Sequence, residues 1–379
     1  MANEQTVSSH LGGANLKKPR SSNLELYRIV CMLMIVAHHY VINSGVGKAL
    51  LADPSSANSI FMALFGAWGK TGINCFLMIT GYYMCTSKIT FRKFIKLLGQ
   101  IYLYKFLLYP LLLVAGYESL SIQRITTLIM PFWGFNNDFV SCFIVFWLFI
   151  PFLTKLVQSI NKREHELLLL LTLGSYTLLG TIPTFQVVYN YITWFCIIFI
   201  VASYIRLYPR KLFENKTVWG WITVASVLLS LLVTAFMHIH FCSLGNMAFS
   251  HYFLCDCNKF FAVVVAVSSF LWFKNIKIKY NKVINAIGAG TFGVLLIHAN
   301  SPAMRTWLWK NTIDVVGHYS LPFGELVLFS LGVVLAVFTV CNLIDQLRIY
   351  TIEKWFFDWY DQKMTIKADR IISRITTSE

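Results

Sequence analysis

The stretch NLELYRIVCMLMIVAHHY, residues 23–40, is greasy enough to lie in lipid, yet it opens with Glu25 and Arg28 and closes with His38 and His39. Arg28 and His39 are eleven residues apart. At about 100° per residue that is close to three whole turns, so one helix face carries both. A rise of about 1.5 Å per residue separates them by roughly 16 Å, half of a bilayer core. His38 is rotated by about 100° and is expected to face elsewhere. Glu25 precedes Arg28 by three residues, a spacing at which helical side chains pair. Ionisable groups within an apolar span are costly, so this face is expected to look into a protein interior or a wet cavity. A histidine that only bridges two helices by a hydrogen bond is the simpler alternative.

The remainder of the chain is equally apolar. Of its 379 residues 57% are hydrophobic and 13% charged, against about 25% charged in a soluble domain. Its 31 Phe, 18 Tyr and 11 Trp suit membrane–water interfaces. Crossing a ~30 Å hydrocarbon core takes roughly 20 apolar residues. Ten such segments are expected, near 24–44, 60–84, 94–116, 139–157, 166–182, 187–206, 217–237, 251–273, 283–300 and 324–344. Residues 120–136 are broken by Pro131 and Gly134 and read as re-entrant or interfacial. The first run is followed by no suitable small-residue cleavage site, so it is expected to be a retained span rather than a signal peptide. The fold class expected is all-α, a polytopic transmembrane helix bundle.

Basic residues set the orientation. They crowd 17–28, 88–96, 155–163, 206–216, 274–282 and 348–374, whereas the alternate segments hold only Lys48, Lys70, Arg124, Arg305 and Lys310. This bias predicts both termini inside and an even number of spans. The net charge of +15 is spread between apolar runs rather than gathered on an arm, which argues against a nucleic-acid partner. Three regions follow: a polar cytoplasmic tail over 1–22, a membrane domain over 23–346, and an amphipathic, charged cytoplasmic tail over 347–379. Most of the nine cysteines fall inside spans, as small hydrophobes do. His238, His240, Cys242, His251, Cys255 and Cys257 form a denser group. Zinc ligation or a disulfide is conceivable there, but the spacing fits no standard site and no metal is expected.

Several stretches carry a resemblance. Arg28 and His39 match the R-x10-H signature of the membrane acyltransferase-3 family, and residues 23–40 look like that family's first helix. GKTGINCFLMITGYYM (69–84) resembles its second. FVSCFIVFWLFIPFLTKLV (139–157), YITWFCIIFIVASYIRLYP (191–209) and NKVINAIGAGTFGVLLIHAN (281–300) resemble later elements, in the family's order. The resemblance runs from about 20 to 350. There are departures. The family's R-x-x-R pair reads Lys93 and Lys96, with Arg92 beside them, and lysine lacks the bidentate fork. In CDCNKFF, Lys259 stands where proline is common, and no appended hydrolase-like domain is expected.

The resemblance implies an O-acyltransferase that moves an acetyl group from acetyl-CoA to a hydroxyl of a cell-surface or lipid-linked glycan. It implies residence in the cell membrane, as in the bacterial cytoplasmic membrane, and polysaccharide-assembly proteins as partners. Arg28, Arg92, Lys93 and Lys96 are the candidates to hold the anionic end of CoA. His39 would take the hydroxyl proton as a neutral imidazole, whose ordinary pKa is near about 6.5, or would accept the acyl group itself. His298 is the second catalytic candidate. Asn74 is a candidate oxyanion donor. Asn300, another polar residue within the spans, and Glu25 complete the set. A transporter of a glycan or lipid-linked intermediate is the alternative. It would share a polar-lined bundle but not require a titrating His39, and it often shows an internal repeat, which this sequence lacks.

Overall fold

The computed structural model describes residues 21–130, 138–185 and 187–363, so residues 1–20 of the polar tail, 131–136 of the interfacial stretch and 364–379 of the C-terminal tail lie outside the described residues. The principal helices are α1 (Ser22–Ile42), α2 (Ala57–Gly66), α3 (Gly69–Met84), α4 (Phe91–Val114), α5 (Phe139–Ser159), α6 (Lys162–Leu173) and α7 (Tyr191–Leu207). They continue with α8 (Lys216–Ser243), α9 (Phe260–Asn275), α10 (Lys282–Ala289), α11 (Thr291–His298), α12 (Phe323–Arg348) and α13 (Lys354–Lys363). Among the described residues there is no strand.

Helix starts follow from the sequence. Thr90, Asp138, Asn190 and Asn215 each accept a backbone N–H of the first turn of α4, α5, α7 and α8. Asn161 and Glu164 form a capping box at α6. Among the described residues six helical stretches are long and apolar enough to cross a membrane, and seven if a bent pair counts as one, against the ten segments expected. They are Ser22–Ile42, Ala57–Met84, Phe91–Val114, Phe139–Ser159, Lys216–Ser243 and Phe323–Lys363. Tyr191–Leu207 and Phe260–Asn275 are apolar but shorter. The segment expected at 251–273 is helical only from Phe260, because residues before it turn repeatedly. The bent pair, Lys282–His298 and Pro302–His318, turns by 92° just after His298. Proline lacks an N–H and drives the residue before it out of helical geometry, and Ser301 is extended there.

Helix α1 runs through the middle of the bundle and feeds two cores. Leu24, Tyr27 and Cys31 join Met78, Phe146, Trp194, Phe199 and Phe270. Met32, Val36, Tyr40 and Val41 join Met62, Tyr104, Trp309 and Phe338. Helix α3 lies against α1 through small residues. A Cβ on Gly69 would sit 2.2 Å from the His38 ring, and one on Gly72 would sit 3.0 Å from the Cys31 carbonyl. On α8, Trp221, Leu228, Leu232 and Phe236 are exposed on one face, as a lipid-facing stripe would be.

Contacts sort the connecting segments into two ends. At one end Asn23 donates to the Phe273 and Lys274 carbonyls, Gln158 to Cys85 O, Arg206 to the Tyr82 hydroxyl, and Asn275 to Phe213 O. At the other, Asn58 donates to Tyr319 O and Leu321 O, Lys259 to Gly180 O, and Asn311 to the Tyr117 hydroxyl. The boundary expected at 346/347 falls inside α12, which continues into α13, so the first part of the expected tail is folded against the bundle. There Phe357 and Tyr360 are buried while Trp355 and Trp359 are exposed.

Candidate active site

At the second of those ends a cavity of about 460 Å³ opens beside the C-terminal half of α1. That volume is within the range of small-molecule sites. His38 and His39 line it from α1, Lys70 from the start of α3, Lys105 from α4, and Asp138 and Ser141 from the start of α5. The turn after α11 supplies Asn300, Ser301 and Arg305. The bend imposed before Pro302 is what brings these three residues round to face α1.

His39 does not stand alone. Its Nδ1 is 2.9 Å from His298 Nε2, and His298 Nδ1 is 2.6 Å from the Val294 carbonyl one turn earlier. A carbonyl only accepts, so His298 Nδ1 carries the hydrogen. Neutral His298 then offers a lone pair at Nε2, and His39 Nδ1 must donate to it. The proton of neutral His39 is thereby confined to Nδ1, and its Nε2, without a protein partner among the described residues, holds the lone pair. His298 is fully buried, whereas His39 is half-buried on the cavity wall. The arrangement holds one imidazole in a single tautomer by a residue behind it, a geometry that catalytic triads also use to orient a base.

The other expected site residues are distributed differently. Arg28 is at the far end of α1, where it faces Glu25 at 3.9 Å and lies over the Phe76 ring. Its Nε is buried without a hydrogen-bond partner. The basic rim of Arg92, Lys93 and Lys96 is engaged within the chain, two of the three by carboxylates. Arg92 makes a bidentate pair with Asp361 at 2.7 and 2.8 Å, Lys96 pairs with Glu353, and Lys93 donates to the Lys88 carbonyl at 2.6 Å. Asn74 does not line the cavity. Its amide donates to the Cys257 and Ala262 carbonyls at 2.7 and 3.2 Å and its oxygen accepts from the Trp194 indole at 2.8 Å. Its hydrogens are committed to Cys257 and to Ala262 of α9 and its oxygen to Trp194 of α7, which corrects the expectation of an oxyanion donor. Asn300 lines the cavity and donates to Leu296 O at 3.0 Å.

His38 also departs from expectation. It shares the cavity with His39, with Nδ1 2.6 Å from the Gly66 carbonyl. The dense His/Cys group is structural glue: His238 meets Ser59 Oγ and Cys242 Sγ, and His251 meets Ser250 Oγ and Ala63 O. All nine cysteines are free thiols, so the disulfide alternative does not hold.

Sequence reasoning did not select Lys70, Lys105, Arg124 and Arg305 as site residues, although all four line the cavity. A signal was present. Three of the five basic residues on the basic-poor side converge here, and Lys105 interrupts an apolar span. An acyltransferase-domain family model matches residues 21–344 of the chain. No curated protein and no solved structure matches it.

Proposed function

The chain belongs to the acyltransferase-3 family and is a membrane acyltransferase, and from that premise we propose that it moves an acetyl group from acetyl-CoA to a hydroxyl of a cell-surface or lipid-linked glycan, with His39 as general base. The observation that carries the mechanism is the His39–His298 hydrogen bond on the cavity wall. His39 Nε2 takes the hydroxyl proton as the oxygen attacks the thioester carbonyl. Collapse of the tetrahedral adduct expels the CoA sulfur, and the imidazolium returns its proton to that sulfur, giving the ester and free CoA. His298 is a positioning residue: it accepts from His39 Nδ1 throughout and fixes the ring. The family match does not favour the transporter alternative.

We place the donor at the end of the bundle that holds Arg28. Arg28 has a loose partner and an unsatisfied Nε, so it is the best disposed of the basic set for a CoA phosphate. Arg92 and Lys96 would first have to leave Asp361 and Glu353. Both termini are placed inside on the basic bias, and ten passes would require the shorter apolar helices Tyr191–Leu207 and Phe260–Asn275 to cross as well as the six or seven longer stretches; a bacterial cytoplasmic membrane with polysaccharide-assembly partners is the setting proposed. The cavity would then open outward, towards the acceptor.

The test is transfer of labelled acetyl groups from acetyl-CoA to surface glycan in membranes carrying equal amounts of each variant. His39→Ala should abolish transfer, Arg28→Ala should weaken it through the donor KM, and His298→Gln should lower kcat while leaving the donor KM alone. His38→Gln should retain most of it. Full transfer by His39→Ala would sink the base assignment.

A further inference from the structure

The cavity is lined by four cations, Lys70, Lys105, Arg124 and Arg305, and by two carboxylates, Glu118 and Asp138. Both carboxylates are already engaged. Glu118 pairs with Arg124 at 3.3 Å, and Asp138 caps α5 by accepting from the Ser141 amide at 2.8 Å and the Ser141 hydroxyl at 2.6 Å. Lys70 donates to the Tyr191 hydroxyl and has Asp256 at 3.9 Å. Lys105 and Arg305 have neither a hydrogen bond nor an ion pair among the described residues. They come from α4 and from the segment after α11, and they line the same cavity as His39. Asp138 attracts both, but it is one carboxylate shared between two cations and forms an ion pair with neither. The positive excess left in a partly enclosed apolar bundle is costly unless an anion joins it.

Building on the acyl-transfer reading, we propose that the acceptor is anionic, and that Lys105 and Arg305 bind a carboxylate or phosphate group on it while His39 faces its hydroxyl. Two charged contacts from different elements fix both the position and the direction of such a group, whereas a neutral sugar would leave both cations desolvated and unpaired. Rejection of the neutral analogue therefore follows from the same two residues. The anionic group is either the carboxylate of an acidic sugar or the diphosphate of a lipid-linked one, and matched probes separate the two.

The experiment uses the full chain in lipid nanodiscs and two probe pairs. One is α-1,4-tetragalacturonate against its carboxyl-reduced tetragalactose; the other is farnesyl diphosphate against farnesol. Affinity is read at low and high salt. The expected result is at least about tenfold tighter binding of the anionic member in one pair, weakened by salt. That preference should disappear in the Lys105→Gln, Arg305→Gln double variant and return in Lys105→Arg, Arg305→Lys. Acetyl-CoA affinity should be the same in all three proteins. Equal affinity within both pairs, or a preference that survives the double substitution, overturns the proposal. A loss of acetyl-CoA affinity in the double variant also overturns it, since the anion would then be the donor's phosphate. If the anion preference is found but no labelled acetyl reaches any acceptor, the anion site stands and only the acyl-transfer reading falls.

Discussion

Two groups of cations sit at opposite ends of this bundle, in opposite electrostatic condition. At the rim, Arg92 is paired with Asp361 and Lys96 with Glu353, and Glu353 also meets Arg348 at 2.5 Å. Arg348 in turn meets Asp345 at 2.6 Å, and Asp345 accepts from Gln100 and Tyr104 at 3.2 and 2.7 Å. This network ties α4 to the end of α12 and to α13, and its charges are satisfied within the chain. In the cavity, Lys105 and Arg305 lack such partners among the described residues. The difference separates charge used to hold helices together from charge left for a ligand. A count of basic residues per segment does not make that distinction, because the rim, counting Arg348, and the cavity each hold four cations among the described residues and differ only in how many are paired.

The comparison breaks first at His39. His39→Ala should lower transfer by about 10²–10⁴-fold, the usual contribution of a general base, while Arg92→Gln should change it by less than about threefold, because that guanidinium is already paired. A large rise in the acetyl-CoA KM of Arg92→Gln would show that the rim trades its carboxylates for the donor. Next in size is Asp345→Ala, which takes from Arg348 one of its two carboxylates, Glu353 remaining, and from Gln100 and Tyr104 their acceptor. It should cost about 1–3 kcal/mol, read as a lowered unfolding midpoint in detergent. A shift near zero there would mean that the network is not what fastens α12 to α4.

Smaller effects sharpen the contrast. Lys105→Met removes a cation that has no ion-pair partner among the described residues while keeping the apolar stem, so it should stabilise the protein by about 0.5–2 kcal/mol while impairing acceptor binding. Unchanged or lowered stability would argue that Lys105 is compensated in the resting protein. The smallest effect belongs to the stability of Arg92→Gln. Its pair is 32% and 44% exposed, so the loss should stay below about 1 kcal/mol and shrink further in high salt.

Much of the site was legible in residues 23–40. The eleven-residue spacing placed Arg28 and His39 at opposite depths of one helix, and in the structure they occupy the two ends of α1. His298 was legible only through family resemblance, and its bond to His39 was not, since 259 residues separate them. Asn74 was misjudged because a buried amide reads the same in sequence whether its hydrogens are free or taken. His38 was set aside by helical phase alone, but the cavity is wide enough to admit two adjacent positions of α1. In the fold, apolar runs located most of the helices, but they overstated how many are long enough to span a membrane, because run length in sequence does not register where the backbone breaks. The start of α9 was misplaced because 251–259 is apolar enough to pass as helix although its backbone turns.

What the sequence determined by itself is the all-helical membrane character, the family, the uneven distribution of basic residues, and the pairing of an arginine with a histidine on one helix. These depend on composition and on periodicity within single segments. Only the tertiary structure decided which nitrogen of His39 keeps its lone pair, and which cations are neutralised. Both depend on distances between helices far apart in the chain: Lys96 finds Glu353 across 257 residues, while no described carboxylate forms an ion pair with Lys105. Charge compensation is a property of pairs in space, and a segment read alone contains only one member of each pair.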